Sequence, residues 1–230
     1  NSAAGNSAAG NSEAGNSEFR AGALIVRRDL KPHETATVRF VLCWHMPNLP
    51  DHQGRNPGVF YANLFSSAEA VLRSVAARRE ALYEQTAAIN RLVRSADLPA
   101  WFGRRLLNDR FVAHTASWFD REKRFSINEG ATGMAGCLGT LDQRTASQGY
   151  WTTFFPDLDA CELDLFRQCQ GADGLCSHHL GFAAIDLVPT AQLQWPDLAA
   201  AYIIQVYHHY QRTGDAAFLK LHWPHVQKAI

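Results

Sequence analysis

The chain has 230 residues, of which 47% are hydrophobic and 19% charged, a balance that suits a globular protein with a sizeable core. Lys plus Arg and Asp plus Glu number 22 each, and this zero net charge argues against a nucleic-acid partner, which would need basic side chains to displace phosphate counterions. No apolar run approaches the ~20 residues that span a bilayer, and five cysteines at irregular spacing read as thiols of a reducing, cytoplasmic compartment rather than a secreted disulfide framework.

The first eighteen residues repeat a unit of the type Asn-Ser-Ala-Ala-Gly. Such a composition has no apolar face to bury, so residues 1–18 are expected to be a disordered insert or linker. The missing initiator Met and secretory segment point to an excerpt or processed form. From Ala23 the composition turns apolar. Ala23 to Val26 is followed by the turn candidate Lys31-Pro32-His33-Glu34, and then Val38, Phe40, Leu42 and Trp44 alternate with Thr37, Arg39, Val41 and Cys43. That period of two predicts a strand, and the two runs together predict a β-hairpin. Residues 19–57 therefore read as the end of a β-domain plus a linker, the latter marked by the prolines between Met46 and Pro57.

Beyond residue 58 the pattern is helical. Ser66 with Glu69 suggests a capping box ahead of a stripe through Val71, Leu72, Val75, Leu82 and Ile89. Pro99, Pro156 and Pro196 each open a further helix, and Gly214 stops the one that Pro196 starts. A last helix begins near Ala216 and should bend or end at Pro224. Between the second and third helices, residues 128–151 read as one long loop, and loops of that length tend to carry function.

That loop holds Glu129 and Asp142 among Gly130, Gly133, Gly136 and Gly139. Glycines let a backbone approach a bulky sugar, and a carboxylate can attack an anomeric carbon or accept from sugar hydroxyls. On spacing alone a surface turn with an incidental acid is the preferred reading. Cys161, Cys169, Cys176, His178 and His179 lack the close cysteine pair of structural zinc, so no metal site is read from them. His208, His209, His222 and His225 lie in aromatic-rich helical stretches and read as packed side chains. Trp118, Trp151 and Trp195 suit either a sugar platform or a core.

Taken in order, several segments resemble glycoside hydrolase family 116, the family of non-lysosomal glucosylceramidases and bacterial β-glucosidases. Phe40 to Pro47, containing Trp44-His45-Met46-Pro47, is similar to a family strand end in which an acid stands at the position of His45. Tyr61 to Phe65, Leu98-Pro99-Ala100-Trp101, Phe154-Phe155-Pro156 with Glu162, Trp195-Pro196-Asp197-Leu198, Gln205-Val206-Tyr207 and Trp223-Pro224 follow in the family order. Asn128-Glu129-Gly130 resembles the segment bearing the catalytic nucleophile. Gly139-Thr140-Leu141-Asp142 is similar to an Asn-Thr-Tyr-Asp motif whose Asp binds the glucosyl unit. Ser177-His178-His179-Leu180-Gly181 resembles a motif whose first His contacts substrate. Gly139 and Leu141 replace the family Asn and Tyr, and His179 replaces an Asp.

The resemblance implies a mostly α fold: an incomplete (α/α)6 barrel over 58–230, preceded by the last β-hairpin of an N-terminal β-sandwich. It implies retaining hydrolysis of β-glucosides or glycolipids of the glucosylceramide type, in a divergent bacterial branch, with Glu129 as nucleophile, Asp142 and His178 as substrate ligands and no cofactor. Retention needs two carboxyls about 5–5.5 Å apart. The family acid/base Asp falls after Ile230, so the 230 residues are expected to be inactive alone. Two rival readings are a carbohydrate-binding relative without catalysis and an inverting α/α-barrel glycosidase, whose carboxyls stand farther apart.

Overall fold

The computed structural model describes residues 24–51, 53–109, 111, 115–128, 137–182, 185–187 and 195–230. The chain divides into two compact units, residues 1–42 and 43–230. In the first, the described residues 24–42 run without regular structure apart from one turn. The Glu34 backbone N–H donates to the Lys31 carbonyl (3.0 Å), the Lys31 N–H donates to the Glu34 carboxylate (2.9 Å), and His33 sits in the left-handed region with φ 63°.

The predicted hairpin is not formed among the described residues, none of which from 24 to 51 lies in a strand. The alternation from Val38 to Trp44 is real, but a strand exists only through a ladder to a neighbour. Here Phe40, Leu42 and Trp44 stand exposed. The 1–18 repeat lies outside the described residues.

The second unit opens with a tight corner. His45 Nε2 lies 2.8 Å from the Phe65 carbonyl, and the Tyr61 hydroxyl donates to the Met46 carbonyl (2.9 Å), so Trp44 to Pro47 is tied to the short 3₁₀ helix Phe60–Asn63. Six α-helices follow among the described residues: α1 Ala68–Ser95, α2 Ala100–Asn108, α3 Leu141–Phe154, α4 Pro156–Gln168, α5 Leu198–Thr213 and α6 Ala216–Lys228. The N-cap of α1 is Ser67 and not Ser66, for the Ser67 hydroxyl accepts from the Ala70 N–H at 3.1 Å. Pro156 occupies the first turn of α4, where a missing N–H costs nothing. Gly214 closes α5 with φ 69°, and Asp215 then caps α6 by accepting from Ala217 and Phe218. Pro224 does not end α6, which continues to Lys228 with His222 and Val226 buried on either side of it.

The largest departure from expectation is residues 128–151, which are not one loop. Cys137–Leu138 forms a strand and residues 141–154 form α3. The buried face of that helix is Leu141, Arg144, Gln148, Trp151 and Thr152, so its helical spacing is written largely in polar residues. A hydrophobic count cannot see such a face.

Four short strands complete the unit: β1 Ser117–Phe119, β2 Phe125–Ile127, β3 Cys137–Leu138 and β4 Gly181–Phe182. β1 pairs antiparallel with β2, and β3 with β4. An isolated bridge from Asn128 to Leu138 joins the two pairs. Helix α3 packs on α4 and α5, and α6 on α5 and α4. The core between them is built on Leu141, Leu163, Phe166, Leu180, Tyr202 and Val206. α1 packs on α2, yet none of its 28 residues is buried.

Candidate functional site

The strands and the start of α3 converge on one region. Beyond β2, Asn128 bridges to Leu138, and the Gly139 N–H donates to the Ile127 carbonyl at 2.8 Å. The Leu180 N–H donates to the Leu138 carbonyl (2.7 Å), which lays residues 178–182 beside the same strand. Gly139 turns the chain from β3 into α3 with φ +65°, a conformation that disfavours other residues. A Cβ there would also stand 3.0 Å from Leu180 Cδ1 and 3.1 Å from Phe166 Cζ. A side chain at this position would therefore press on the core as well as strain the backbone.

Asp142 lies in the first turn of α3 and His178 in the segment before β4. The Leu141 N–H donates to the His178 carbonyl at 2.9 Å, fixing the two segments together. Their side chains meet: His178 Nε2 stands 3.3 Å from Asp142 Oδ1. The His178 ring lies against the half-exposed indole of Trp195, with centroids 4.3 Å apart and planes tilted by 40°. A carboxylate, an imidazole and an aromatic face therefore share one spot, with Asp142 more open to solvent than His178. Carboxylate and imidazole can take sugar hydroxyls, while an indole face suits the apolar C–H surface of a pyranose.

Glu129, the expected nucleophile, lies outside the described residues. His179 turns away from His178, the rings at 78°, and packs on Phe182 while its Nδ1 accepts from the Gly181 N–H. Trp151 is core and Trp118 is partly buried, so Trp195 alone of the three tryptophans meets the candidate ligands.

Sequence reasoning missed the buried cluster beneath this spot. Arg144 Nε donates to Glu162 Oε2 (2.6 Å), its Nη1 to Gln205 Oε1 (2.6 Å), and its Nη2 to both the carbonyl and the carboxylate of Asp159. His209 Nδ1 donates to Asp159 Oδ2 at 2.6 Å, and Glu162 Oε1 accepts from the Ile127 N–H at 2.7 Å. Burial pushes the Glu162 carboxyl above its ordinary range in spite of Arg144. Burial acts the same way on Asp159, but Arg144 and His209 outweigh it and hold that carboxyl below the usual range. The only clue in the sequence was the i, i+3 relation of Leu141 and Arg144 in a segment read as loop.

A cavity of about 160 Å³ opens between this cluster and β2, lined by Asn128, Thr140, Gln143, Arg144, Ser147 and Glu162. A larger cleft of about 270 Å³ lies by Asp51, Arg55, Trp118 and Arg124. Its cations are already paired, Arg55 with Asp51 and Asp186, and Arg124 with Asp120. Among the described residues no group of three or more His, Cys, Asp or Glu side chains could hold a metal ion. No helix among them is long and apolar enough to cross a membrane.

Residues 2–82, about a third of the chain, match the family model described as beta-glucosidase 2, glycosyl-hydrolase family 116 N-term. The matched stretch runs from the repeat into the first half of α1, and Glu129, Asp142 and His178 lie after it. No curated protein matches the chain.

Proposed function

We propose, from the match of residues 2–82 to the family 116 N-terminal model, that the chain is part of a family 116 glycoside hydrolase and serves retaining hydrolysis of β-glucosides, simple or glycolipid. Helices α1 to α6 are then the first part of an (α/α)6 catalytic barrel. Glu129 is the nucleophile. Its carboxylate attacks the anomeric carbon as the bond to the aglycone oxygen breaks, and that oxygen takes up a proton on leaving. Water then attacks the glycosyl ester, giving the sugar hydroxyl and returning the carboxylate. Two inversions leave the β configuration unchanged.

Asp142 and His178 hold sugar hydroxyls, Asp142 as acceptor and His178 as donor or acceptor according to its tautomer. The observation that supports this reading best is their 3.3 Å contact beside the Trp195 face. Residues 36 positions apart in sequence, both drawn from family-like motifs, meet at one partly open spot.

In the full-length protein, Asp142→Ala or His178→Ala should lower kcat/KM on an aryl β-glucoside by about 1.5–3 kcal/mol of transition-state stabilisation, the value of a charge-assisted hydrogen bond. Wild-type kcat/KM in both variants would put the sugar elsewhere.

A further inference from the structure

The Asp142–His178 pair sits on a base that looks too costly to be there for stability alone. Arg144, Asp159, Glu162, Gln205 and His209 are all buried, and moving several charges out of water carries a penalty that apolar side chains of similar volume would avoid. What the cluster does have is reach. Through Arg144 it grips α3 two residues after Asp142. Through Gln205, whose Nε2 donates to the Leu141 carbonyl (2.6 Å) and to Thr145 Oγ1 (2.8 Å), it grips the residue before Asp142 and the one a turn later. Through Glu162 it holds the Ile127 N–H at the end of β2. The Leu141 N–H is held in turn by the His178 carbonyl. Both backbone groups of Leu141 are therefore fixed, one by the segment bearing His178 and one by the cluster.

We propose that Arg144 and Glu162 are positioning residues for the sugar site: their buried network sets the first turn of α3 so that the Asp142 carboxylate faces His178. The inference rests on the sugar-site reading above. Neither side chain touches the sugar; they act through the helix turn. A fork-shaped guanidinium suits the task, because three partners in fixed directions fix a position that the single point charge of a lysine would leave loose.

The test uses the full-length protein and the glucose-shaped iminosugar deoxynojirimycin, with the Kd read from the His178 ring resonance by NMR and the melting temperature measured alongside. Asp142→Asn checks the underlying reading: if it binds the iminosugar as tightly as wild type, or if wild type does not bind, the sugar site itself is misassigned. With that reading intact, Arg144→Lys and Glu162→Gln should each raise Kd about 10–100-fold, the loss expected when one charge-assisted hydrogen bond to the sugar is misaligned, and should shift the His178 resonance in the free protein. Val226→Ala, a buried change on α6 away from the cluster, should lower the melting temperature and leave Kd and the resonance unchanged. Wild-type Kd in either folded network variant would overturn the proposal. So would an equal loss of affinity in Val226→Ala, or failure of both network variants to fold, since the cluster would then be structural only.

Discussion

His222 shows how a single buried residue can give the chain a pH limit. Its side chain is fully buried, with Nδ1 2.7 Å from the Tyr202 hydroxyl and its ring stacked on Phe218. Burial brings its pKa down from 6.5 to about 4. The unfolded chain therefore binds a proton that the folded one refuses between those values, and stability falls as pH drops through that window. The full effect is on the order of 3 kcal/mol. His222→Gln keeps a polar side chain without the titration, so its melting temperature should change less between pH 7 and pH 4.5 than that of wild type, as followed by circular dichroism. An unchanged slope would assign the acid sensitivity to another group. The packed roles of His209 and His222 were legible because they recur among aromatic residues in helical stretches. Asp142 and His178 are named as sugar ligands only by motif resemblance, and no spacing rule reveals that residues in separate segments meet. Trp195 could not be told from a core residue until its neighbour was known.

At the level of elements, punctuation was the legible part. Pro99, Pro156 and Gly214 mark helix ends through fixed φ, a missing N–H and a left-handed residue, all local causes. Helix α3 was invisible for the opposite reason: its buried face holds Arg144, Gln148 and Thr152, whose burial depends on partners in α4 and α5. Alternation from Val38 to Trp44 encodes a face and not the partner strand that a ladder requires, so it predicts a hairpin that the described residues do not form. The start of α1 gives a sharp test of cap assignment. Ser67→Ala should destabilise by about 1 kcal/mol, the usual value of an N-cap, whereas Ser66→Ala should change little. Denaturant unfolding of the two variants separates them, and the reverse ranking would restore the Ser66 box.

For the whole molecule, the composition correctly indicated a core, but it could not say how much apolar surface would stay uncovered. Leu92 on α1 and Trp101 on α2 are 70% and 66% exposed, and Tyr83, Phe111 and Trp223 are exposed as well. Apolar side chains of this size on the surface favour association. The 230-residue chain should therefore self-associate, and light scattering should give a mass that rises with concentration. A single monomer mass at all concentrations would mean that these faces are tolerated in water. The family match covers residues 2–82, whereas the proposed chemistry lies on residues that follow them.

The central claim is that Glu129 becomes covalently glycosylated, and one labelling experiment addresses it. A dinitrophenyl deoxyfluoro-β-glucoside carries fluorine at the second sugar carbon, which destabilises the oxocarbenium-like transition state and slows both steps. Its dinitrophenolate leaves without being protonated, so the first step needs no general acid and the glycosyl-enzyme accumulates. The account predicts a mass increase of one fluoroglucosyl residue, with tandem mass spectrometry locating the ester on Glu129 and no label in Glu129→Gln. Label on another carboxylate, or none at all in a protein that hydrolyses β-glucosides, would contradict it.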